Sequence, residues 1–290
     1  MRITVTQAVK LDPMELFAGG GARSDLDSRK FYHSERINRA GPGIAGVSRS
    51  TARIWNGNWQ IQWEGSDQKL QAIENVFQLH LTLHPEKPPV IHGENGVSQK
   101  SQGSGHASFY VSLTRLTANG TIDLHGEKVE VSGLAWMDHE FFTHQLEGGQ
   151  VGWDWLSLQL EDHTELMLFR IRRKDGSRDP FSSGTYVDAQ GKSTHLRAAD
   201  FILEPLTDNW TSPVTHATYP IAWKIGIPKL EIELEARTSL AAQELAGGTK
   251  IAPPYWEGAI TLGGHRGEIP LGGVGYLEMT GYDRALNLTP

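Results

Sequence analysis

Three ionisable residues, Asp138, His139 and Glu140, follow one another inside an apolar and aromatic stretch at residues 133–141. Such a stretch is typical of a buried strand, where a charge costs several kcal/mol unless it is paired or neutralised. Because alternate side chains of a strand share a face, the spacing places Asp138 and Glu140 on the side of Trp136. His139 is expected to point to the other side.

A carboxyl group beside an aromatic ring suggests acid catalysis. Burial in an apolar cavity raises the pKa of a carboxyl group, so we expect Asp138 to stay protonated near neutral pH and to act as a general acid. Trp153 and Trp155, in a second aromatic stretch at residues 152–155, offer ring faces that stabilise a cation. This combination suits the protonation of an alkene. An Asp138–His139 pair that only satisfies backbone groups also explains the same residues, and the stretch alone leaves both interpretations open.

Other chemistries fit the spacing poorly. A zinc-protease helix needs its second histidine four residues after the first, whereas His144 follows His139 by five in a stretch that resembles a strand. Sugar hydrolases place two carboxylates across a cleft, but Asp138 and Glu140 are two apart on one strand. A Gly-x-Ser-x-Gly nucleophile motif is absent. We therefore expect no metal and no cofactor.

Composition excludes several classes of function. The chain has 290 residues and a formal net charge of -7, which argues against nucleic acid as a partner. It has no cysteine, so thiolate chemistry is excluded. No window of about 18 apolar residues exists, so we expect no transmembrane segment. The first ten residues lack the apolar core of a signal peptide, which leaves the localisation open.

The strand pattern predicts an all-β fold. Strand-like runs recur with turn signals between them, which is typical of antiparallel barrels and sandwiches. From Val151 onward about eight such runs are enough to close one barrel, and a less complete set precedes them. We therefore predict an N-terminal domain at residues 1–147 and a C-terminal domain at residues 148–290. Residues 19–21, three consecutive glycines, are expected to form a loop, and residues 239–246 the only helix.

Five motifs, in this order, carry a family resemblance. They are residues 133–141, residues 152–155, Tyr219-Pro220 with Trp223, residues 255–258, and residues 275–282. Together they make about residues 30 to 285 resemble the carotenoid hydratase and AttH-type lipocalin-like proteins. Kievitone-hydratase-like enzymes are more distant relatives. The resemblance implies two lipocalin-like antiparallel β-barrels packed side by side.

The resemblance also implies a reaction and its residues. In the family's hydratases an aromatic-x-Asp-His strand carries the acid that protonates a terminal isoprenoid double bond, and water adds to the carbocation. The implied catalytic residues are Asp138 and, beside it, His139. The implied substrate-binding residues are Trp136, Glu140, His106, Tyr110, Trp153 and Trp155. The implied activity is that of a cofactor-free hydratase or isomerase, a hydro-lyase acting on an apolar isoprenoid or lipid-like small molecule.

The start of the chain departs from the family pattern. Family members normally begin with an export signal and an early strand rich in Glu-Trp-Trp-Tyr, and this sequence shows neither. We therefore expect that the first strands of the N-terminal domain are missing. Family members tend to be exported or periplasmic, and the AttH-type branch is often encoded beside ABC-transporter components. The alternative function is thus a non-catalytic lipid-binding or carrier protein that works with such a transporter.

Overall fold

A computed structural model describes residues 2–6, 16–75, 77–124, 126–142, 146–246 and 253–286. Within these residues the chain forms twenty-four β-strands and two 3₁₀ turns, at Ala198–Asp200 and Pro228–Leu230. The predicted all-β fold is confirmed. No helix in the described part of the chain is long and apolar enough to span a membrane.

The first twelve strands form two sheets. The three-stranded sheet contains β1 (Arg2–Thr6), β2 (Leu16–Asp25) and β3 (Lys30–Arg39). The nine-stranded sheet contains β4 (Ala45–Ser48), β5 (Arg53–Asn56), β6 (Trp59–Glu64), β7 (Asp67–Ile73), β8 (Phe77–Pro85), β9 (Val90–Ile91), β10 (Ser98–Gln99), β11 (Ala107–Leu124) and β12 (Glu127–Phe142). Its strand order is β10-β11-β8-β7-β6-β5-β4, with β9 and β12 also paired to β11. The loop predicted at residues 19–21 is wrong, because these glycines lie within β2.

The last twelve strands begin with β13 (Gln150–Leu160), β14 (Glu165–Arg173), β15 (Ser183–Val187), β16 (Ser193–Arg197), β17 (Ile202–Pro205), β18 (Asn209–Thr211) and β19 (Thr218–Pro220). They continue with β20 (Ala222–Ile227), β21 (Ile232–Arg237), β22 (Glu244–Leu245), β23 (Tyr255–Arg266) and β24 (Ile269–Thr280). Ten of them form a sheet in the order β16-β15-β14-β13-β24-β23-β21-β20-β17, with β22 paired to β23, while β18 and β19 pair separately.

The helix predicted at residues 239–246 is wrong. The buried Gln243 side chain donates to the backbone oxygen of Leu240 at 2.7 Å and to the Thr238 hydroxyl at 3.0 Å. The chain then enters β22, which pairs with Trp256 and Tyr255 of β23. Side-chain and cross-strand partners thus replace the helical hydrogen bonds that local propensity favoured.

The described chain divides into two compact units that interleave in sequence. The first contains residues 1–23, 31–88 and 115–136, and the second contains residues 24–30, 89–114 and 137–290. Each has its own apolar core. In the first unit Trp59, Phe77 and Leu79 are buried together, and exposure alternates along much of β8. The boundary at residues 147/148 stays a prediction.

The second unit has the larger apolar core. Leucines of β13 and β14 pack there with the fully buried indoles of Trp223 and Trp256 and with Tyr219. On β13 the core residues are Leu156, Leu158 and Leu160, so the intervening positions face the other side of the sheet. That other side carries the polar groups described next.

Candidate active site

A row of side chains crosses one face of the ten-stranded sheet. Trp155 on β13 is the cross-strand partner of Phe169 on β14 and of Glu278 on β24. Glu278 is in turn the partner of Glu257 on β23. Directly opposed residues of an antiparallel ladder have side chains about 5 Å apart on the same face. Two aromatic rings and two carboxyl groups therefore lie next to one another.

A second group of residues in the same unit is placed by short strands that pair with β11. Val90 of β9 lies opposite Ser112, and Ser98 of β10 lies opposite Ser108. Between β9 and β10 the chain reverses at Gly93, whose φ of +85° and close approach to the Val97 backbone exclude a Cβ atom. His92 follows β9 and Lys100 follows β10. Pairing with β11 thus brings both residues alongside its first half.

A chain of hydrogen bonds ends on Asp138. The Ser112 hydroxyl donates to Asp138 Oδ1. Ser112 Oγ lies 2.7 Å from His92 Nε2, and His92 Nδ1 lies 2.8 Å from the Thr185 hydroxyl. Since Ser112 donates to the carboxylate, its oxygen accepts from Nε2–H, and Nδ1 accepts from Thr185. The geometry therefore assigns the Nε2–H tautomer to a neutral His92.

Burial keeps His92 neutral. Its side chain is fully buried, and desolvation, with a smaller effect from the nearby positive charge of Lys100, lowers its pKa to about 3. At neutral pH the imidazole is therefore uncharged and relays hydrogen bonds without adding charge. Its ring also packs on the Tyr110 ring at 4.4 Å between centroids.

Tyr110 gives Asp138 a second hydroxyl partner. The phenol is 3% exposed, hydrogen-bonds Asp138, and accepts a hydrogen bond from Trp155 Nε1 at 3.1 Å. Burial, and then the negative charges of Asp138 and Glu140, raise the pKa of Tyr110 well above its usual range. Tyr110 therefore stays protonated and donates to Asp138. Hydrogen bonds from two hydroxyls favour the carboxylate form of a carboxyl group, which differs from the protonated Asp138 expected from the sequence.

Lys100 and Glu140 form a half-buried ion pair beside Asp138. Their Nζ and Oε1 atoms lie 3.2 Å apart, and the Ser108 hydroxyl donates to the same Oε1 atom at 2.5 Å. The ammonium also lies 4.0 Å from the centroid of the Phe169 ring. Desolvation lowers the pKa of Lys100, and Glu140 offsets part of that effect.

Glu257 is buried and Glu278 is half-buried on the same face of the ten-stranded sheet. Trp153 Nε1 donates to Glu278 Oε1 at 2.7 Å. Burial raises the pKa of Glu278 to about 7, and the charges of Glu140 and Asp138 add to the rise. Glu257 is 1% exposed, and its Oε1 atom has no hydrogen-bond partner among the described atoms. Burial, and then the charge of Glu278, raise its pKa to about 8.

Most of the residues singled out from the sequence meet in this cluster. Asp138, Glu140, Tyr110, Trp153 and Trp155 all contribute side chains to it through the contacts above. The roles assigned to them stay predictions.

Two of the singled-out residues, His139 and His106, lie elsewhere. His139 is exposed on the opposite face of β12, where its ring contacts Phe141 at 4.2 Å. Strand alternation turns the His139 side chain away from the cluster, so the proposal below gives His139 no catalytic role. His106 lies in the turn before β11 and pairs with Glu147 at 2.6 Å. Trp136 belongs to the first unit, and its part in substrate binding stays a prediction.

The sequence interpretation missed five members of the cluster. These are His92, Lys100, Ser112, Glu257 and Glu278. His92 and Lys100 lie in a Ser-, Gln- and Gly-rich stretch that is typical of a solvated loop, so no local signal marks them. The two glutamates did carry the signal that marked Asp138, a carboxyl group within a strand of apolar and aromatic residues.

The cluster can perform acid–base chemistry. It combines carboxyl groups of raised pKa, a carboxylate with two hydroxyl donors, a neutral imidazole and aromatic rings. No group of three His, Asp or Glu residues in the described part of the chain is arranged to hold a metal ion. His144, considered above as a ligand, lies outside the described residues.

Several known proteins are similar to this chain in sequence or in fold. The AttH-like family matches residues 2–282. A dehydratase, asqC of Emericella nidulans, is 23% identical over 268 residues, which span 88% of this chain and 74% of the dehydratase. An AttH-type crystal structure from Nitrosomonas europaea superposes with a TM-score of 0.82 at 31% identity, over 97% of this chain and 87% of the other.

A second solved structure, kievitone hydratase from Nectria haematococca, has the same fold. It superposes with a TM-score of 0.72 at 17% identity, over 97% of this chain and 88% of the other. The predicted lipocalin-like all-β fold is thus confirmed. The match to residues 2–282 covers nearly all of the sequence, and this chain belongs to the AttH-like family.

Proposed function

We propose that this protein is a cofactor-free hydratase or dehydratase of an apolar, isoprenoid or lipid-like substrate, with Asp138 as the carboxyl group that exchanges a proton with a substrate carbon. The observation that carries the proposal is the half-buried carboxylate of Asp138, which receives hydroxyl donors from Ser112 and Tyr110 beside the indole of Trp155. The hydratase and dehydratase among the similar proteins support the reaction class.

The charge of the cluster favours a cationic intermediate. The Lys100 ammonium is paired with Glu140, and Glu257 and Glu278 have pKa values raised to about 8 and about 7. With Glu257 and Glu278 protonated, the Asp138 carboxylate is a negative charge that the Lys100–Glu140 pair does not balance. That charge and the neighbouring ring faces stabilise a carbocation, whereas an enolate or another anion would be repelled.

Asp138 has one role in each direction of the reaction. In hydration, protonated Asp138 is the general acid that gives its proton to an alkene carbon, as the sequence suggests. Water then adds to the neighbouring cationic carbon. In dehydration, the Asp138 carboxylate is the base that removes that carbon-bound proton, by microscopic reversibility. The hydroxyls of Ser112 and Tyr110 stabilise the carboxylate in both directions.

We do not propose the alternative of a lipid carrier that works with an ABC transporter. A carrier site is mostly apolar with a few polar groups. The site instead gathers four carboxyl groups, those of Asp138 and Glu140 on β12 and those of Glu257 and Glu278 on the ten-stranded sheet, beside the Lys100 ammonium. Such a concentration of largely buried ionisable groups is typical of catalysis.

Asp138→Asn tests the proposal. The probe is linalool, a tertiary allylic isoprenoid alcohol with two double bonds. The readouts are its dehydration to a triene, followed through the new conjugated diene, and deuterium uptake from heavy water at the carbon with which Asp138 exchanges a proton. We expect Asp138→Asn to lower both rates by about 10²–10⁴-fold, because an amide takes up no proton at neutral pH. The exposed Asp27→Asn is the matched control and should behave as wild type.

A thermal melt separates catalysis from structure. The amide introduced by Asp138→Asn still offers an oxygen to one of the two hydroxyl donors, so we expect a loss of about 1–3 kcal/mol and a folded protein. A variant that melts lower but converts the probe at the wild-type rate per folded molecule would show that Asp138 is only structural. The proposed function would then be wrong.

A further inference from the structure

We propose that Glu278 is a second catalytic carboxyl group, which exchanges a proton with the oxygen atom of the substrate while Asp138 exchanges one with the carbon. This inference rests on the proposed function and assigns the other half of the reaction. Hydration and dehydration each move two protons, one bound to carbon and one bound to oxygen. The sequence supplied a residue for only one of them.

The sheet register places Glu278 beside the groups that hold Asp138. Glu278 lies directly opposite Trp155, and the Trp155 indole donates to the Tyr110 hydroxyl, which hydrogen-bonds Asp138. One cross-strand step and one hydrogen-bonded phenol therefore separate the two carboxyl groups. Trp153 Nε1 fixes Glu278 Oε1 at 2.7 Å, which leaves the other oxygen as the position for a proton.

The neighbours of Glu278 disfavour its ionisation. Glu257 lies directly opposite on the adjacent strand, fully buried, with one oxygen that has no partner among the described atoms. Asp138 and Glu140 add negative charge from β12. The Lys100 ammonium beside Asp138 is already paired with Glu140. Like charges in a buried site cannot all ionise, so protons remain on the Glu257–Glu278 pair.

The protonation states of Glu278 and Asp138 before the reaction suit an acid and a base, respectively. Burial raises the pKa of Glu278 to about 7, whereas the Asp138 carboxyl group accepts from two hydroxyls. Two titratable groups whose surroundings favour opposite protonation states are suited to act as an acid and a base. In this state Glu278 carries a proton and Asp138 can receive one.

The dehydration step balances with these two residues alone. The C–O bond breaks with both electrons leaving on oxygen, which takes the Glu278 proton and departs as water. The Asp138 carboxylate then removes a proton from the adjacent carbon, and the C–H electrons form the alkene. Glu278 is left ionised and Asp138 protonated, and exchange with solvent returns the proton. Hydration is the reverse, in which Glu278 accepts the proton of the attacking water.

Isotope exchange distinguishes the two residues. Linalool in water labelled with heavy oxygen exchanges its hydroxyl whenever the C–O bond breaks and water adds back, which needs Glu278. Deuterium uptake at carbon needs Asp138. We expect Glu278→Gln to lose oxygen exchange by about 10²–10⁴-fold and to lose diene formation with it. Asp138→Asn should lose diene formation and deuterium uptake by a much larger factor than oxygen exchange, which is slowed only by loss of the Asp138 charge that stabilises the cation.

Two outcomes decide between the proposals, and one variant serves as a control. Oxygen exchange at the wild-type rate in Glu278→Gln would overturn the role of Glu278 while leaving that of Asp138 intact. Diene formation at the wild-type rate in Asp138→Asn would overturn the proposed function. The exposed Glu204→Gln, on β17, should change neither rate.

Infrared spectroscopy tests the protonated state without any substrate. The carbonyl stretch of protonated carboxyl groups should persist at neutral pH in the wild-type protein and disappear as the pH rises above about 8. Glu278→Gln should remove part of this band, and Glu204→Gln none of it. A band that is absent at neutral pH, or unchanged in Glu278→Gln, would overturn the inference even if the probe were inert.

Discussion

Replacing Glu278 by glutamine should change how stability depends on pH. The pKa of Glu278 is raised from 4.5 to about 7, mainly by burial, so the folded protein binds this proton more tightly than the unfolded chain does. The stabilising contribution of a group with a raised pKa is complete below the unfolded value and is lost as the pH rises through the folded value. Glu278 therefore destabilises the wild-type fold increasingly between about pH 4.5 and about pH 7.

The size of the effect follows from the two pKa values. Each pKa unit corresponds to about 1.4 kcal/mol, so the rise from 4.5 to about 7 amounts to about 3 kcal/mol. Glutamine does not ionise, and its side-chain oxygen still accepts from Trp153 Nε1. Glu278→Gln should therefore match the wild type at acid pH and exceed its free energy of unfolding by about 3 kcal/mol above neutral pH. Losing the Glu278 charge also lowers the pKa of Glu257, which acts in the same direction.

The measurement is urea unfolding followed by circular dichroism at a series of pH values. The difference between variant and wild type is the quantity to plot, because other titrating groups cancel in it. His92 is one such group: its lowered pKa adds stability above the unfolded value that is lost as the pH falls toward about 3. Glu204→Gln should give a difference that stays flat with pH. A flat difference for Glu278→Gln, or one that grows toward acid pH, would refute the reasoning.

Two further substitutions probe the surroundings of Asp138. Lys100→Met leaves the half-buried Glu140 without its cation, although the Ser108 hydroxyl still donates to it, and should lower the free energy of unfolding by about 1–3 kcal/mol. Adding Glu140→Gln should recover much of that loss in a double-mutant cycle, whereas single effects that add within about 0.5 kcal/mol would contradict the coupling. Tyr110→Phe leaves Trp155 Nε1 without an acceptor and Asp138 without one donor. It should cost about 1–3 kcal/mol in urea unfolding and slow linalool dehydration, and an unchanged rate would contradict the role of the phenol.

Strand periodicity was sufficient to place the residues of one strand. Side chains alternate along β12, so Asp138 and Glu140 share a face, and His139 lies exposed on the other, as the spacing predicted. The all-β class followed from the same kind of local signal. Residues 19–21 show its limit, because glycine is typical of turns yet also occurs within strands such as β2.

The partners of Asp138 depend on contacts that no local pattern contains. His92 and Thr185 are 93 residues apart in the chain but 2.8 Å apart in the fold, and Ser112 and Asp138 are joined across 26 residues. Such contacts arise only when β9 pairs with β11 and the segment packs on the ten-stranded sheet. In the sequence, Lys100 sits among polar residues, where a solvated lysine is the ordinary expectation.

The positions of Glu257 and Glu278 within strands could be predicted from the sequence, but the groups that surround their side chains could not. Glu257 and Glu278 alternate with aromatic and apolar residues, so the sequence showed that each faces away from the apolar core. Whether the outward face of a strand meets water or protein is set by what covers it. In this fold residues 89–114 and 137–142 belong to the same unit as the sheet, and the exposure expected for such carboxyl groups is lost.

The arrangement of the ten-stranded sheet explains how the fold can hold so many buried ionisable groups. One face carries Leu156, Leu158 and the indole of Trp256 in the large apolar core, whose burial stabilises the unit at about 25 cal/mol per Å². The other face carries Glu257 and Glu278, whose ionisation opposes folding. Because both sets of side chains belong to the same strands, the apolar face fixes the positions of the carboxyl groups that are unfavourable to bury. A substitution on the core face should therefore lower stability and leave the reaction rate of the folded molecules unchanged. A substitution of Glu278 should instead lower the reaction rate of the folded molecules without lowering their stability.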